Sequence, residues 1–235
     1  MRKITVTIIA LMFTLNIFAQ SWVNFDFTVP PAKVEEFSKT WGEFMASETG
    51  KGLPTAFLTQ AEAGEQTHTH SILFYTESLD DLGKLFDYKS IFENEDWMKM
   101  WSFWSANVEG VRQQYGTQLL NSTNKEGNFF QGIWGIKAIN PQTTGAAFAQ
   151  LIKDNQAILD KYNAEIAIHQ AFAGQEGEIS HYITGNFKNF ATYMKCSSEF
   201  YQSEGFGKFA AATSANSNLL TITRTILGAW NLPEN

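Results

Sequence analysis

Residues 60–64 have the sequence Gln-Ala-Glu-Ala-Gly, and residues 170–174, a shift of 110 positions, have the sequence Gln-Ala-Phe-Ala-Gly. Two further matches keep this spacing within one position: residues 105–107 (Ser-Ala-Asn) with 214–216, and Pro31 with Pro141. Similarity at a fixed spacing is typical of a fold that is built from repeated structural units. Three matches in one register predict that the chain contains two copies of one structural unit.

The length of the chain and its composition fit this division. The chain has 235 residues, of which 44% are hydrophobic and 14% aromatic, enough for two units of about 110 residues that share an interface. Residues 121–128 are polar and lack periodicity, which is typical of a linker. We therefore expect a first repeat over 20–120, a linker over 121–128 and a second repeat over 129–235.

Both copies carry the same order of predicted elements. In the first copy we predict a strand that ends before Pro30-Pro31, a helix around 34–45, strands over 55–60 and 67–76, a helical region over 78–104 and a strand within 111–120. In the second copy the corresponding elements are 129–139, 144–162, 164–171, 178–184, a helical region over 187–209 broken near Ser197-Ser198, and 219–230. The order β-α-β-β-α-β is a ferredoxin-like split motif, so the fold class is α+β.

The first 19 residues have the features of an export signal. Arg2 and Lys3 precede an apolar run over 4–18, and Ala19 ends it. The alternative is a retained membrane anchor, but the run is shorter than the roughly 20 residues that cross a bilayer, and Asn16 interrupts it. We expect cleavage after Ala19 and export to the periplasm or the extracellular space. No later segment is long and apolar enough to span a membrane, so we expect no integral membrane association after cleavage.

The net charge argues against a nucleic-acid-binding protein, and the cysteine content argues against a protein stabilised by disulfides. Cleavage removes Arg2 and Lys3, which leaves 15 basic against 24 acidic residues and a net charge of −9. Phosphate contacts require a basic patch, so we expect no nucleic-acid partner. Cys196 is the only cysteine, so the exported chain has no internal disulfide and depends on its core. Its apolar helical neighbours predict a buried, inert thiol.

Two segments carry a resemblance to a known superfamily. Residues 187–200, with Phe187, Phe190, Tyr193 and Phe200, and then 205–209 (Gly-Phe-Gly-Lys-Phe), resemble the dimeric α/β barrels, which include proteins like the antibiotic-biosynthesis monooxygenases. Residues 79–104 are similar in the first copy. The resemblance covers nearly the whole mature chain as two tandem copies. It implies that two ferredoxin-like sheets close into one barrel within a single chain, which protects their edges and makes a monomer possible.

The resemblance leaves the function open. Similar proteins include cofactor-free quinone-forming monooxygenases, haem-degrading and haem-peroxidase relatives, isomerases and proteins without known activity, and fold alone does not choose among them. Our first hypothesis is an exported protein that binds a small apolar or aromatic molecule in a barrel cavity. The alternatives are a cofactor-free or haem-dependent monooxygenase-like enzyme and a surface protein-interaction module. Haem or a transition metal is possible as a cofactor, but the sequence requires neither.

Histidines are the candidate chemical groups. On the predicted strand His68 and His70 would point to the same face, where two imidazoles can hold one metal ion; a merely polar strand end is the alternative. His169 is out of phase with Ile168, and if it faces a cavity it could act, like His70, as an acid-base group with a pKa near neutral. A hydrogen-bonded structural histidine is the alternative. His181, Gln60 and Gln170 are further candidate ligand contacts.

Tryptophans are distributed unequally between the copies. Trp97, Trp101 and Trp104 recur at helical spacing and form one stripe, which predicts either core packing or the wall of a ligand pocket. The second copy has smaller residues in this region, such as Ala210, Ala211 and Ala212. A cavity in such a pseudosymmetric barrel could therefore be one-sided.

Overall fold

A computed structural model describes residues 20–64, 67–123 and 126–233. The predicted export signal, residues 1–19, lies outside the described residues and stays a prediction. In the part of the chain that the structure describes, no helix has the length and apolar character needed to cross a membrane.

Within residues 20–64 and 67–121, the first unit has four strands and five helices. The strands are β1 Ser21–Thr28, β2 Thr55–Gly64, β3 His70–Thr76 and β4 Glu109–Asn121; the helices are α1 Val34–Ala46, α2 Glu48–Lys51, α3 Leu79–Gly83, α4 Tyr88–Glu93 and α5 Glu95–Asn107. Short 3-10 turns cover Pro31–Lys33 and Lys84–Phe86. The order of the predicted elements is confirmed, and the predicted helical region over 78–104 consists of three helices and a 3-10 turn.

The second unit repeats this order with fewer helices. Its strands are β5 Phe130–Lys137, β6 Glu165–Ala173, β7 His181–Phe187 and β8 Ser217–Trp230; its helices are α6 Pro141–Tyr162, α7 Phe190–Tyr201 and α8 Glu204–Ala212. The predicted break near Ser197-Ser198 is wrong, because α7 continues to Tyr201. The break lies at Gln202-Ser203, where the Ser203 hydroxyl accepts a hydrogen bond from the Phe206 amide at 3.0 Å and caps α8.

All eight strands form one closed antiparallel barrel in the order β1-β3-β2-β8-β5-β7-β6-β4. Each unit contributes four neighbouring strands, β4-β1-β3-β2 and β8-β5-β7-β6, which is the ferredoxin-like order. The units meet at two seams, where β2 pairs with β8 and β4 pairs with β6. The predicted fold class, a single-chain dimeric α/β barrel made of two ferredoxin-like units, is confirmed. Closure leaves neither sheet with an open edge.

The repeated segment that reveals the two copies lies at these seams. Residues 60–64 pair with β8, and residues 170–173 pair with β4. Gly64 and Gly174 have φ angles of 114° and 77°, and a Cβ on them would lie 2.1 Å from the Thr221 carbonyl oxygen and 1.8 Å from that of Gln113. Only glycine tolerates both the left-handed backbone and this approach. The same requirement in both units explains why the sequence repeats there.

The helices cover the outside of the barrel, and the core has three parts. A first-unit core lies between the first sheet and its helices, around Phe27, Phe37 and Trp41. A second-unit core contains Phe148, Ile168 and Cys196. A third, smaller cluster lies inside the barrel. Cys196 is buried, as predicted, with 1% of its surface exposed.

The seam predicts a matched pair of substitutions. Gly174→Ala puts an alanine in the left-handed region of backbone conformation and brings its Cβ against the Gln113 backbone. Gly127 also has a positive φ, 75°, but no atom lies within 4 Å of a Cβ added there. We expect Gly127→Ala to lower the free energy of unfolding by about 1 kcal/mol, from backbone strain alone. We expect Gly174→Ala to lower it by about 3 kcal/mol or more, because the paired strand must also shift. Urea denaturation measures both, and equal losses would contradict the close approach at the seam.

Candidate functional site

A cavity with a volume of about 390 Å³ lies outside the barrel, between the second sheet and its helices. We call it the helix-side cavity. Its walls are mostly apolar and include Trp134 and Ile136 of β5, Leu151 of α6, and Phe206 and Phe209 of α8. We expected a ligand cavity inside the barrel, and the cavity found there is a separate one, described below. An apolar concave space of this size is typical of a small-molecule site.

The corresponding layer of the first unit is filled by aromatic side chains. Trp41 is buried, and the rings of Trp97 and Trp104 pack 4.5 Å from those of Phe44 and Phe27. Trp230, from the end of β8, also contacts this core. In the helix-side cavity Trp134 is the one tryptophan among the described lining residues. The space between the sheet and its helices is therefore filled by aromatic rings in the first unit and open in the second, which matches the unequal distribution of tryptophan.

The predicted stripe of three tryptophans divides between core and surface. Trp97 and Trp104 pack into the first-unit core, as the core-packing alternative expected. Trp101 is 48% exposed, and its ring meets Phe92 edge-on at 6.4 Å. None of the three lines the helix-side cavity or the second cavity described below. Their predicted role in ligand binding stays a prediction.

The helix-side cavity is chemically neutral. Its titratable groups among the described lining residues are Cys196 and Tyr201. Burial raises the pKa of Cys196 to about 11 and that of Tyr201 to about 12, so both are protonated at neutral pH. Most of the other polar lining residues lie where β8 begins, namely Thr213, Asn216, Ser217 and Asn218, and Ser197 of α7 is a further one at another wall. Asn216 is held in place, because its carboxamide donates to Thr144 and accepts from the Ile139 amide, each at 3.0 Å.

This donor set does not fit a haem. Haem iron needs an axial histidine, thiolate, methionine or tyrosine. None of the lining residues that the structure describes is a histidine or a methionine or carries a charge, and Cys196 and Tyr201 are protonated in the absence of a metal. A haem also carries two propionate carboxylates, and none of the described lining residues is a cation that could pair with them. Within residues 20–64, 67–123 and 126–233, no group of three or more His, Cys, Asp or Glu is placed to hold a metal ion.

A second, smaller cavity of about 80 Å³ lies inside the barrel, and we call it the barrel cavity. A network around Asp26 occupies one end. Asp26 accepts hydrogen bonds from Ser71 at 2.6 Å, Gln114 at 2.6 Å and Arg112 at 2.8 Å, and Gln114 accepts one from the Tyr182 hydroxyl at 2.6 Å. Burial alone would raise the pKa of Asp26, but the Ser71 hydrogen bond and the Arg112 guanidinium hold it below its ordinary value. Asp26 is therefore ionised.

His169 faces the barrel cavity. Its Nε2 lies 3.0 Å from the Thr184 hydroxyl, and its Nδ1 is buried without a partner among the described residues. Burial and the nearby Arg224 charge lower the pKa of His169 to about 3. The expectation of a pKa near neutral is therefore wrong. The imidazole is neutral throughout the physiological pH range.

His68 and His70 do not face the same side. β3 begins only at His70, so strand alternation does not extend to His68. His70 packs between the sheet and α1, with its ring 6.2 Å from Phe27 and 6.4 Å from Phe37, whereas His68 lines the barrel cavity. The expectation that both imidazoles share one face is wrong. The structure does not bring them together as a metal-binding pair.

His181 is the counterpart of His70. Each histidine begins the third strand of its unit, and its Nδ1 meets the hydroxyl of the preceding residue, at 2.8 Å for Thr69 and 2.9 Å for Ser180. Burial lowers both pKa values. These contacts agree with the structural alternative for both residues.

Gln60 and Gln170 are also equivalent, because they pair with His70 and His181 across neighbouring strands. Both belong to the seam segments, and neither lines one of the two cavities. Gln170 is exposed. Their predicted ligand contacts, like the catalytic roles of His169 and His70, stay predictions.

Sequence reasoning missed the charged groups inside the barrel. Asp26 and Arg112 are 86 positions apart, and Arg224 lies on the last strand. A signal was present, because Asp26 and Arg224 are single charges in otherwise uncharged strand segments, residues 21–28 and 217–230. A single charged side chain in such a strand points either to solvent or to a buried partner. Which of the two applies depends on how distant strands pair in the closed barrel.

Comparisons with known proteins support the architecture. No family model matches the chain, and no curated protein sequence matches it. Among similar solved structures are a candidate monooxygenase from Lactobacillus acidophilus (TM-score 0.65, 7% identity, 90% of this chain and 96% of that one) and an anthrone oxidase-like protein (0.56, 12%, 94% and 98%). A haem-binding protein from Thermus thermophilus is also similar (0.52, 10%, 89% and 92%).

These similarities extend over nearly the whole length of each chain, so they include both units and the seams between them. At 7 to 12% identity they concern the fold and not the chemistry. The chain therefore has the dimeric α/β-barrel fold, with both ferredoxin-like units in one polypeptide.

Proposed function

We propose that this protein is a monooxygenase-like enzyme that holds an apolar aromatic substrate in the helix-side cavity and oxidises it without haem. The observation that carries the proposal is the cavity itself: about 390 Å³, mostly apolar, and free of charged groups among its described lining residues. The aromatic walls of Trp134, Phe206 and Phe209 suit a planar ring. Two of the structures similar to this chain are named for oxidation chemistry, as a candidate monooxygenase and as an anthrone oxidase-like protein.

A reaction that needs no cofactor requires a substrate that serves as its own reductant. An activated methylene next to aromatic rings meets this requirement. The methylene loses two hydrogens, one atom of O₂ becomes its carbonyl oxygen, and the other atom leaves as water with those hydrogens. The protein would exclude bulk water, orient the ring and give hydrogen bonds to the substrate oxygen from the polar end at Thr213 and Asn218.

The proton must leave without a strong base. Cys196 and Tyr201 are protonated at neutral pH, and neither His169 nor His70 lines this cavity. We therefore assign no role in this reaction to the two histidines. The substrate has to carry a proton acidic enough to pass to water at the cavity mouth.

The same observation favours a second candidate function. A cavity without a base at neutral pH is also what a carrier of apolar molecules needs, since binding alone requires burial and no proton transfer. The two functions share the site and differ in oxygen consumption.

A substitution that fills the cavity tests the proposal. Leu151 lines the helix-side cavity, and Leu151→Trp should occupy it while changing the free energy of unfolding by no more than about 1.5 kcal/mol, because space is available. We expect the unmodified protein to bind anthrone and to consume one O₂ per anthrone, and Leu151→Trp to lose both. Fluorescence titration and an oxygen electrode measure these. Ser197→Trp, at another wall, repeats the test if Leu151→Trp misfolds.

Leu79→Trp is the matched control, since Leu79 is 70% exposed on α3 in the other unit. It should bind and react like the unmodified protein. Binding without oxygen consumption would favour the carrier. Oxygen consumption that persists in both cavity-filling variants would contradict the assignment of the reaction to this cavity.

We also propose that the protein is exported, on the basis of the charged start and apolar run of residues 1–19. The intact mass of protein isolated from its native cells should correspond to a chain that begins at Gln20. A full-length chain with Met1 retained in the cytoplasmic fraction would contradict this.

A further inference from the structure

Hydrogen-bond donors without partners face the barrel cavity. Trp22 Nε1 and His169 Nδ1 are both buried and have no partner among the described residues. Arg224 lines the same cavity and is also buried, with 7% of its surface exposed. The rings of Trp22 and His169 meet edge-on at 6.3 Å, so these two groups are neighbours. Buried polar groups are almost always paired, so such a set requires an explanation.

Arg224 is the strongest of these groups. Its Nε donates to Gln131 at 2.6 Å, and this is the one hydrogen bond of its guanidinium to a described residue. No carboxylate in the described part of the chain lies within 4.0 Å of it. Asp26, also in this cavity, is already engaged by Arg112, Ser71 and other donors. Arginine keeps its proton, and a buried charge without a partner is costly.

The chemistry of these groups defines the partner. Tryptophan and arginine side chains are donors only, and they can be satisfied only by an acceptor. His169 can present Nδ1–H when its Nε2 accepts from the Thr184 hydroxyl, so it can join them as a third donor. Asn24 Oδ1 is an unpartnered acceptor at the same cavity and suits a water molecule. Three donors and one positive charge together favour an anion.

The size of the cavity limits the anion. A volume of about 80 Å³ has room for roughly two or three water molecules, or for an anion of about three or four non-hydrogen atoms. The planar guanidinium matches the geometry of a planar oxyanion. We propose that the barrel cavity binds a small planar oxyanion, such as formate or nitrate, through Arg224, Trp22 and His169. This site is separate from the helix-side cavity and does not depend on the oxidation proposed for it.

Titration of the full chain with sodium formate at constant ionic strength tests this, with sodium chloride as the balancing salt. The indole N–H signals of the seven tryptophans are followed by NMR, and Trp22→Phe identifies the one that belongs to Trp22. We expect this signal to shift with saturation and the melting temperature to rise with the same apparent Kd. Trp22→Phe should weaken binding about tenfold or more, since it removes a hydrogen bond to a charged group. Arg224→Gln should abolish it.

Trp101→Phe is the matched control, because Trp101 is 48% exposed and lines neither cavity, and it should bind formate like the unmodified protein. His169→Gln provides a further loss of binding if Arg224→Gln does not fold. A linear response to formate that does not saturate would overturn the proposal and leave water as the partner of these donors. Saturable binding that survives Arg224→Gln, or that Trp22→Phe leaves unchanged, would overturn it as well.

Discussion

Backbone pairing at the two seams, β2 with β8 and β4 with β6, joins the two sheets and closes the barrel. At Gly64 and Gly174 the neighbouring strand comes so close that no Cβ fits, and both residues have a positive φ. One open ferredoxin-like sheet has two exposed edges and an unprotected face, and a second copy in the same chain covers both. Closure therefore makes one structure of two units that would each be small for a separate domain.

Closure also determines where a ligand can lie. The barrel interior is narrow and holds Asp26, Arg112, Gln114 and Tyr182 in one hydrogen-bond network, which leaves a small polar space. Larger apolar molecules have to fit between a sheet and its helices. The two units differ at this point, since Trp41, Trp97 and Trp104 fill the first and the second keeps a cavity of about 390 Å³. The pseudosymmetric frame thus has one filled side and one open side.

Much of the fold could be predicted from the sequence because its signals are local. The repeat marks the seams, and caps such as Ser78 mark helix starts; its hydroxyl accepts from the Asp81 amide. The site could be predicted only in part, because its properties depend on contacts between distant residues. The pKa of His169 depends on its burial and on Arg224 of another strand. The prediction from strand alternation failed at His68 because this residue precedes β3. The position of the cavity depends on how three helices pack, and no short segment encodes that.

The proposed function requires that an aromatic ligand binds in the helix-side cavity of the second unit. A crystal structure of the full chain with 2-naphthol is a direct test, because this compound is planar, aromatic and small enough for about 390 Å³. We expect electron density for the naphthol rings between Trp134 and Leu151, with the hydroxyl toward Asn218. Naphthol density in the first-unit core or inside the barrel, with the helix-side cavity empty, would contradict it.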